Sequence, residues 1–336
     1  MKICISRIDK LGDMILSLPA IKGIKIKNPD CKIDVLASKA NAKVLKKLDY
    51  IDKVILINPG WISTLKEIFI IRKIKYNYFI NLSPKLQSYI LCFFSRSTKK
   101  AILIFQTRYK KKKFSKFFLK LFAKIFCDFI HVINRFDRLI KNEEIHQTQV
   151  IFELINLCGI KHTKDIDIDI DLPSKKISFS SKKLILIHLS ERWINSYYSE
   201  NNLLELIFLL KERKFSIILT TDKSTKNKFK KIYDNFKILS NNEFNKLDSI
   251  SEEIVILDNL NFNSWIYICC SSSLIITPEC GCTHIAAACK VPVNVIYDAN
   301  NFPDAINKEY APWKSKYNKF IFDEKNLNEK LINYLR

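Results

Sequence analysis

Five glycines serve 336 residues: Gly12, Gly23, Gly60, Gly159 and Gly281. The chain holds no G-x-G-x-x-G fingerprint and no G-x-x-x-x-G-K-[ST] loop, which speaks against nicotinamide-dinucleotide and P-loop chemistry. No apolar run reaches the roughly 18 residues that a membrane span needs, so a soluble or peripheral protein is expected. No secretory leader is visible either: the strand-like Met1 to Ile8 is followed at once by Asp9, Lys10 and Asp13. Metal patterns are missing as well. The ten cysteines form no C-x-x-C pair, Cys269 and Cys270 are adjacent, Cys280 and Cys282 are two apart, and His131, His146, His162, His188 and His284 show no ligand spacing. Cys4, Cys92, Cys127 and Cys158 sit inside apolar runs and are expected as buried free thiols of a reducing cytoplasm.

Negative charge is also in short supply. Asp and Glu number 34 against 56 Lys and Arg, a net +22. Such a field attracts polyanions: nucleic acid, anionic lipid, phosphorylated sugars or nucleotides. Heavy use of lysine and isoleucine is also what an AT-rich genome produces, so part of the excess carries no function. At this length two domains are the default.

Strand and helix patterns alternate along the chain. Strands are expected at Lys2–Ile8, Lys32–Leu36, Lys53–Ile57, Tyr78–Leu82 and Ala101–Phe105. Helices are expected at Met14 to about Ile26, Asn41–Leu48, Trp61–Lys73, Leu86–Ser95 and Glu143–Leu157, with Gly159 as C-cap. Pro19 either kinks the first helix or marks its real start. The Asp/Ile alternation from Thr163 and the Ser/Lys run to Lys182 reads as an inter-domain connection, with room for a strand. A second alternation follows: strands at Leu184–His188, Ser216–Thr220 and Ile254–Leu257, helices at Asn201–Lys211, Ser224–Tyr233 and Asn263–Cys270, and a closing helix at Leu327–Leu335. Short runs rich in β-branched residues suit parallel sheets covered on both faces. The expected domains are 1–165, 180–325 and a closing segment 326–336.

Two stretches carry most of the chemistry. In SSSLIITPECGCTHIAAACKVPVNVIYD, Ser271 to Asp298, a buried-type strand breaks at Pro278, Glu279 and Gly281, a small-faced helix starts at Cys282, and a second strand runs from Val291 to Tyr297. The start of that helix places Glu279, Thr283 and His284 beside the N–H groups and the positive dipole end that suit a phosphate. The plainer possibilities are that polar residues cap the turn and that His284 is a core histidine. The other stretch, Arg108 to Phe126, interleaves Lys110–Lys113, Lys116, Lys120 and Lys124 with five phenylalanines. From Phe114 it is an amphipathic helix with a cationic rim, fit for an anionic membrane surface or for packing Phe into the core beneath solvated lysines.

Scarce glycine recurs at two equivalent places. Gly12 and Gly281 each follow a strand and precede a helix, with Asp13 and Glu279 beside them. Arg7-Ile-Asp-Lys10-Leu-Gly12-Asp13-Met-Ile-Leu-Ser-Leu-Pro19-Ala resembles the N-terminal signature of glycosyltransferase family 9, the heptosyltransferases of bacterial lipopolysaccharide core assembly. Thr277-Pro-Glu279-Cys-Gly281-Cys-Thr283-His284-Ile-Ala-Ala-Ala is similar to the donor-site motif of the same family. The resemblance implies an α/β fold of GT-B type, two Rossmann-like domains facing each other across a cleft. It implies inverting, metal-independent transfer with no resident cofactor. The donor is then a nucleotide sugar, ADP-heptose, and the acceptor a lipid-anchored oligosaccharide. Asp13 matches the general base, with Arg7, Lys10 and Gly12 on the acceptor side; Arg7 either steers acceptor anions or pairs with Asp9. Ser190, Arg192, Glu279, Gly281, Thr283 and His284 fall on the donor side. Glu279 stands where the family usually has Asp. The family's phosphate-binding lysine aligns with Ser196, so either Arg192 takes over the phosphate or donor binding is altered.

The resemblance places the protein in the cytoplasm, peripheral at the inner face of the membrane through 108–124. Two other functions compete with it. One is a family member that has lost activity. The other is a non-enzymatic basic protein on membrane or nucleic acid, although no nucleic-acid module is visible.

Overall fold

The computed structural model describes residues 1–106, 113–174, 183–195, 198–221, 225–244, 254–323 and 326–334, without the side chains of 113–117 and 226. It divides into two compact units, Met1–Asp171 and Leu172–Arg336. Each is built on its own sheet.

In the first unit β1 (Lys2–Arg7), β2 (Lys32–Ala37), β3 (Lys53–Leu56), β4 (Tyr76–Asn81), β5 (Ser97–Phe105) and β6 (Phe129–Ile133) pair in the order β3-β2-β1-β4-β5-β6. Every pairing is parallel. The central strand KICISR is buried from its second residue on, as a strand covered on both faces must be. The chain steps outward from β1 to β3, then jumps to β4 and steps outward the other way. Right-handed crossovers therefore lay α3 (Trp61–Arg72), α4 (Leu86–Phe94) and α5 (Lys113–Phe126) on one face. On the other face α2 (Leu18–Lys27) packs against α7 (Gln147–Leu157). α1 (Leu11–Ile15) precedes α2, and α6 (Arg135–Ile140) precedes α7.

The second unit pairs seven strands in the order β13-β12-β11-β7-β8-β10-β9, again all parallel. They are β7 (Leu184–Leu189), β8 (Ser216–Thr221), β9 (Lys237–Ser240), β10 (Ile254–Asp258), β11 (Leu274–Pro278), β12 (Val293–Tyr297) and β13 (Tyr317–Ile321). Between them run α8 (Arg192–Asn195), α9 (Glu200–Glu212), α10 (Lys230–Asn235), α11 (Phe262–Ser271), α12 (Gly281–Ala288) and α13 (Pro303–Tyr310). α14 (Leu327–Asn333) closes the unit. Its Leu331 joins a core centred on the fully buried Trp193, whose ring lies 5.3 Å from Tyr198 and 5.6 Å from Phe322.

The structure corrects several expectations. Of the two alternatives for Pro19 the second holds: the expected long helix is split and Pro19 marks the start of α2, because its fixed φ suits a helix start and its missing N–H is not needed there. Asn41–Leu48 holds only a 3-10 turn, Ala42–Leu45. Of Ser224–Tyr233, Ser224 lies outside the described residues, and the α-helix starts at Lys230. The Asp/Ile run forms no strand: Ile166, Ile168 and Ile170 are buried in the first unit, Asp169 pairs with Lys22 and Asp171 with Lys47 at 3.0 Å, and the two units divide directly after it, at Asp171. Residues 175–182 of the expected connection lie outside the described residues. Cys270 and Cys289 are not free thiols. The end of α11 packs on the end of α12 and brings their Cα atoms to 5.0 Å, and the pair forms a disulfide; the other eight cysteines are free.

Gly23 is needed where α2 meets the Asp/Ile segment. A Cβ there points into the Thr163 carbonyl well inside contact distance, and Thr163 N–H donates to Gly23 O at 3.3 Å. Glycine to alanine normally stabilises a helix interior by about 0.5–1 kcal/mol. Gly23→Ala is expected to do the reverse, lowering stability by about 1–3 kcal/mol through overpacking, read as a lower urea midpoint at unchanged slope.

Candidate functional site

In a parallel α/β sheet, loops at the carboxyl ends of the strands separate most where the strand order reverses, and polar groups gather there. In the first unit that point lies between β1 and β4. Arg7 ends β1 and is 1% exposed. Its Nε lies 3.2 Å from Asp9 Oδ1 and donates to Asp13 O, its Nη2 lies 3.1 Å from Asp13 Oδ1, and its Nη1 donates to Leu82 O. One guanidinium thus clamps the loop after β1, the first turn of α1 and the loop after β4. Asn41 Nδ2 donates to Arg7 O at 2.8 Å and Lys85 Nζ to Ile8 O at 3.0 Å.

Asp13 is not the cap of α1. Lys10 holds the N-cap position, and the Asp13 carboxylate is spent on Arg7. Ser17 Oγ donates to Asp13 O at 2.8 Å, so the backbone of this residue is fixed as well as its side chain. Gly12 is buried in the same turn and Lys10 is exposed beside it. The pairing of Arg7 with Asp9 is as expected from sequence, but the same guanidinium also takes Asp13. Arg7 is therefore a positioning group rather than an exposed cation. Sequence reasoning missed Asn81 at the end of β4. It is fully buried, and its Oδ1 accepts from Ser83 N at 3.1 Å and from Ser88 Oγ, which is in turn bonded to Ser6. Only an asparagine at the end of an apolar run marked it.

In the second unit the reversal lies between β7 and β11. After β7, Ser190 Oγ accepts from Arg192 N at 3.3 Å, and Trp193 Nε1 donates to His188 O at 2.9 Å. The buried Trp193 thereby anchors α8, and Arg192 reaches across to Glu279, the first residue after β11, and pairs with its carboxylate. Glu279 N donates to Ile296 O at 3.0 Å, which fixes the start of the turn. Gly281 opens α12. Thr283 is fully buried and its Oγ1 accepts from Cys280 N at 3.3 Å, the reciprocal bond of a capping box. His284 is 1% exposed within the same helix. Thr283 therefore holds the turn from inside, with His284 enclosed in the same helix, while Ser190, Arg192, Glu279 and Gly281 surround its outer side. Ser196, the aligned lysine position, lies outside the described residues.

Cys280 adjoins this turn, and burial together with the neighbouring Cys282 pushes its thiol up to about 12. It therefore carries no thiolate for nucleophilic work. A small pocket beside the Arg192–Glu279 pair is lined by Tyr297, Asp298, Asn301 and Phe322, none of which the sequence singled out. Among the described residues no group of three or more His, Cys, Asp or Glu is placed to hold a metal.

Comparison with known proteins agrees with this architecture. The family model for glycosyltransferase family 9 (heptosyltransferase) matches residues 71–332, so the Asp13 segment lies outside the matched range. The chain is similar in structure to a glycosyl transferase family 9 protein from Veillonella parvula at a TM-score of 0.73 and 12% identity, covering 99% of this chain and 88% of that one. Escherichia coli heptosyltransferase WaaC with ADP gives 0.68 at 14% identity, covering 100% and 99% of the two chains. The E. coli ADP-heptose lps heptosyltransferase II gives 0.66 at 14%, covering 100% and 97%. The fold is thus GT-B-like, two parallel sheets with interleaved helices. No curated protein matches the chain by sequence.

The Arg7 clamp has a measurable consequence. Arg7→Met leaves two largely buried carboxylates without their cation and is expected to cost about 3–5 kcal/mol in urea unfolding. Arg7→Lys, one ammonium in place of a three-armed fork, is expected to restore only part of that.

Proposed function

Since the chain belongs to glycosyltransferase family 9 (heptosyltransferase), we propose that it moves heptose, with inversion, from ADP-heptose to a lipopolysaccharide core-type acceptor. The acceptor hydroxyl attacks the anomeric carbon, the bond to the diphosphate breaks, ADP departs, and Asp13 takes the hydroxyl proton. What carries this reading is the Arg7–Asp13 clamp: a carboxylate fixed at side chain and backbone, at the carboxyl end of the central strand, where the strand order reverses.

The donor-side groups fit the rest of the chemistry. A departing diphosphate needs positive charge, which the N-terminus of α12 and the Arg192 fork supply. Ser190 offers a hydroxyl to phosphate or ribose. Glu279 accepts bonds from sugar hydroxyls once Arg192 turns to the phosphate. Thr283 keeps the turn in shape, with His284 buried behind it. On the acceptor side Lys10 and the Gly12 turn meet anionic groups, with Arg7 behind them. The transfer as written asks for no metal and no resident cofactor, the nucleotide sugar being the co-substrate. Among the described residues no helix is long and apolar enough to cross a membrane. The lipid-anchored acceptor is then met from the inner face of the cytoplasmic membrane, with 108–124 as the contact; residues 108–112 of that segment lie outside the described residues.

Asp13→Asn keeps shape and removes the base. Transfer from ADP-heptose is expected to fall about 10²–10⁴-fold while calorimetric binding of ADP stays within a factor of two. Unchanged turnover removes Asp13 from the reaction. Arg192→Ala is expected to weaken ADP by about tenfold or more, the loss of a charged bond of about 1.5–3 kcal/mol; unaltered affinity assigns the diphosphate to other groups. Wild type that binds ADP yet transfers nothing marks a member without activity.

A further inference from the structure

The layer of α3, α4 and α5 turns an apolar surface outward. On α3, Trp61, Ile62, Leu65 and Phe69 form one helical stripe, with Trp61 68%, Ile62 75% and Phe69 69% exposed. α5 continues it with Phe118, Leu121, Phe122 and Ile125, all exposed, and Leu86 and Phe94 of α4 lie between. The helices are knitted together. Phe126 stands 6.1 Å from Phe122 and 6.3 Å from Phe94 between ring centres, and Arg72 donates to Phe94 O at 3.2 Å. A crevice of about 190 Å³ between Trp61 and Thr64 of α3 and Leu86 and Ile90 of α4 opens on this layer. Contiguous apolar surface of this kind marks a contact site.

Its charge is one-sided. The three helices contain a single carboxylate, Glu67. That one is 5% exposed and spent inward, accepting from Asn58 N at 2.7 Å and from Ser63 and Gln87. Lys66, Arg72 and Lys124 are exposed around the apolar stripe. A second copy of the chain, docking through the same patch, brings like charges against these cations. An anionic bilayer satisfies both features at once: side chains such as Trp and Phe enter the interface, and Lys and Arg meet the headgroups.

We propose that the outer face of α3, α4 and α5 is a docking surface for an anionic lipid bilayer, with Trp61 and Phe69 of α3 as the inserting side chains. This extends the contact well beyond the basic segment 108–124. It rests on the membrane contact of that reading, while the transfer itself depends on the groups at the strand-order reversals.

The test is co-sedimentation of the full chain with vesicles of phosphatidylglycerol and phosphatidylcholine in equal parts, against phosphatidylcholine alone. Wild type is expected to bind the mixed vesicles more tightly, and salt to weaken that binding. Trp61→Ser with Phe69→Ser is expected to lose about tenfold or more in partitioning, given what burying two aromatic side chains is worth, at an unchanged melting temperature because both positions are exposed. Phe208→Ser, an exposed aromatic of α9 in the second unit, is expected to bind like wild type. Brominated lipid should quench wild-type fluorescence more than that of Trp61→Phe. Wild type that ignores anionic vesicles overturns the proposal. So does a double variant that binds undiminished, or a stable dimer in solution that the double variant dissolves. None of these outcomes bears on Asp13, whose test uses transfer and ADP binding.

Discussion

A parallel strand cannot turn straight back beside its neighbour; the chain must first cross over the sheet. Both sheets of this protein are parallel throughout, and that single constraint organises the rest. It sends every loop that follows a strand to the same edge, and it leaves one gap per sheet where crossovers diverge. Arg7 and Asp13 stand at one such gap, Arg192 and Glu279 at the other. The sheets also dictate composition. Strands buried on both sides consist of runs such as LILIH and VNVIY, which supply the hydrophobic stabilisation and leave polar residues to the loops.

The central strands were legible in the sequence because they are continuous and β-branched. Of the four edge strands, only β3 was. β9 (KILS) and β13 (YNKFI) carry lysine and asparagine, as edges do to discourage further pairing, and so lose the buried-strand signature. β6 was hidden by the histidine at its centre, and α13 by a start at Phe302 with φ 49° that no local preference announces. At the site, scarcity of glycine drew attention to Asp13 and Glu279. Their partners were harder to see. The Arg7 bond to Leu82 spans 75 positions and the Arg192–Glu279 pair 87, separations that only the folded topology closes. The role of Arg7 as a clamp, rather than an outward cation, is a fact of burial, and burial is set by neighbours distant in sequence.

The large positive charge is used unevenly. Much of it is solvated lysine, but two arginines are committed to carboxylates at the strand-order reversals. The glutamate of the α3–α5 layer is turned inward, so that layer presents only cations around its apolar stripe. Arrangement, rather than the net figure, separates a generally basic protein from one with a directed surface.

The N-terminus of α12 has cysteines on both sides of Gly281. A helix start commonly draws out a thiolate, since the peptide dipoles lower the thiol pKa there. Here burial, with Cys282 beside it, pushes the Cys280 thiol upward, against that pull. The electropositive end of the helix is therefore not quenched from within.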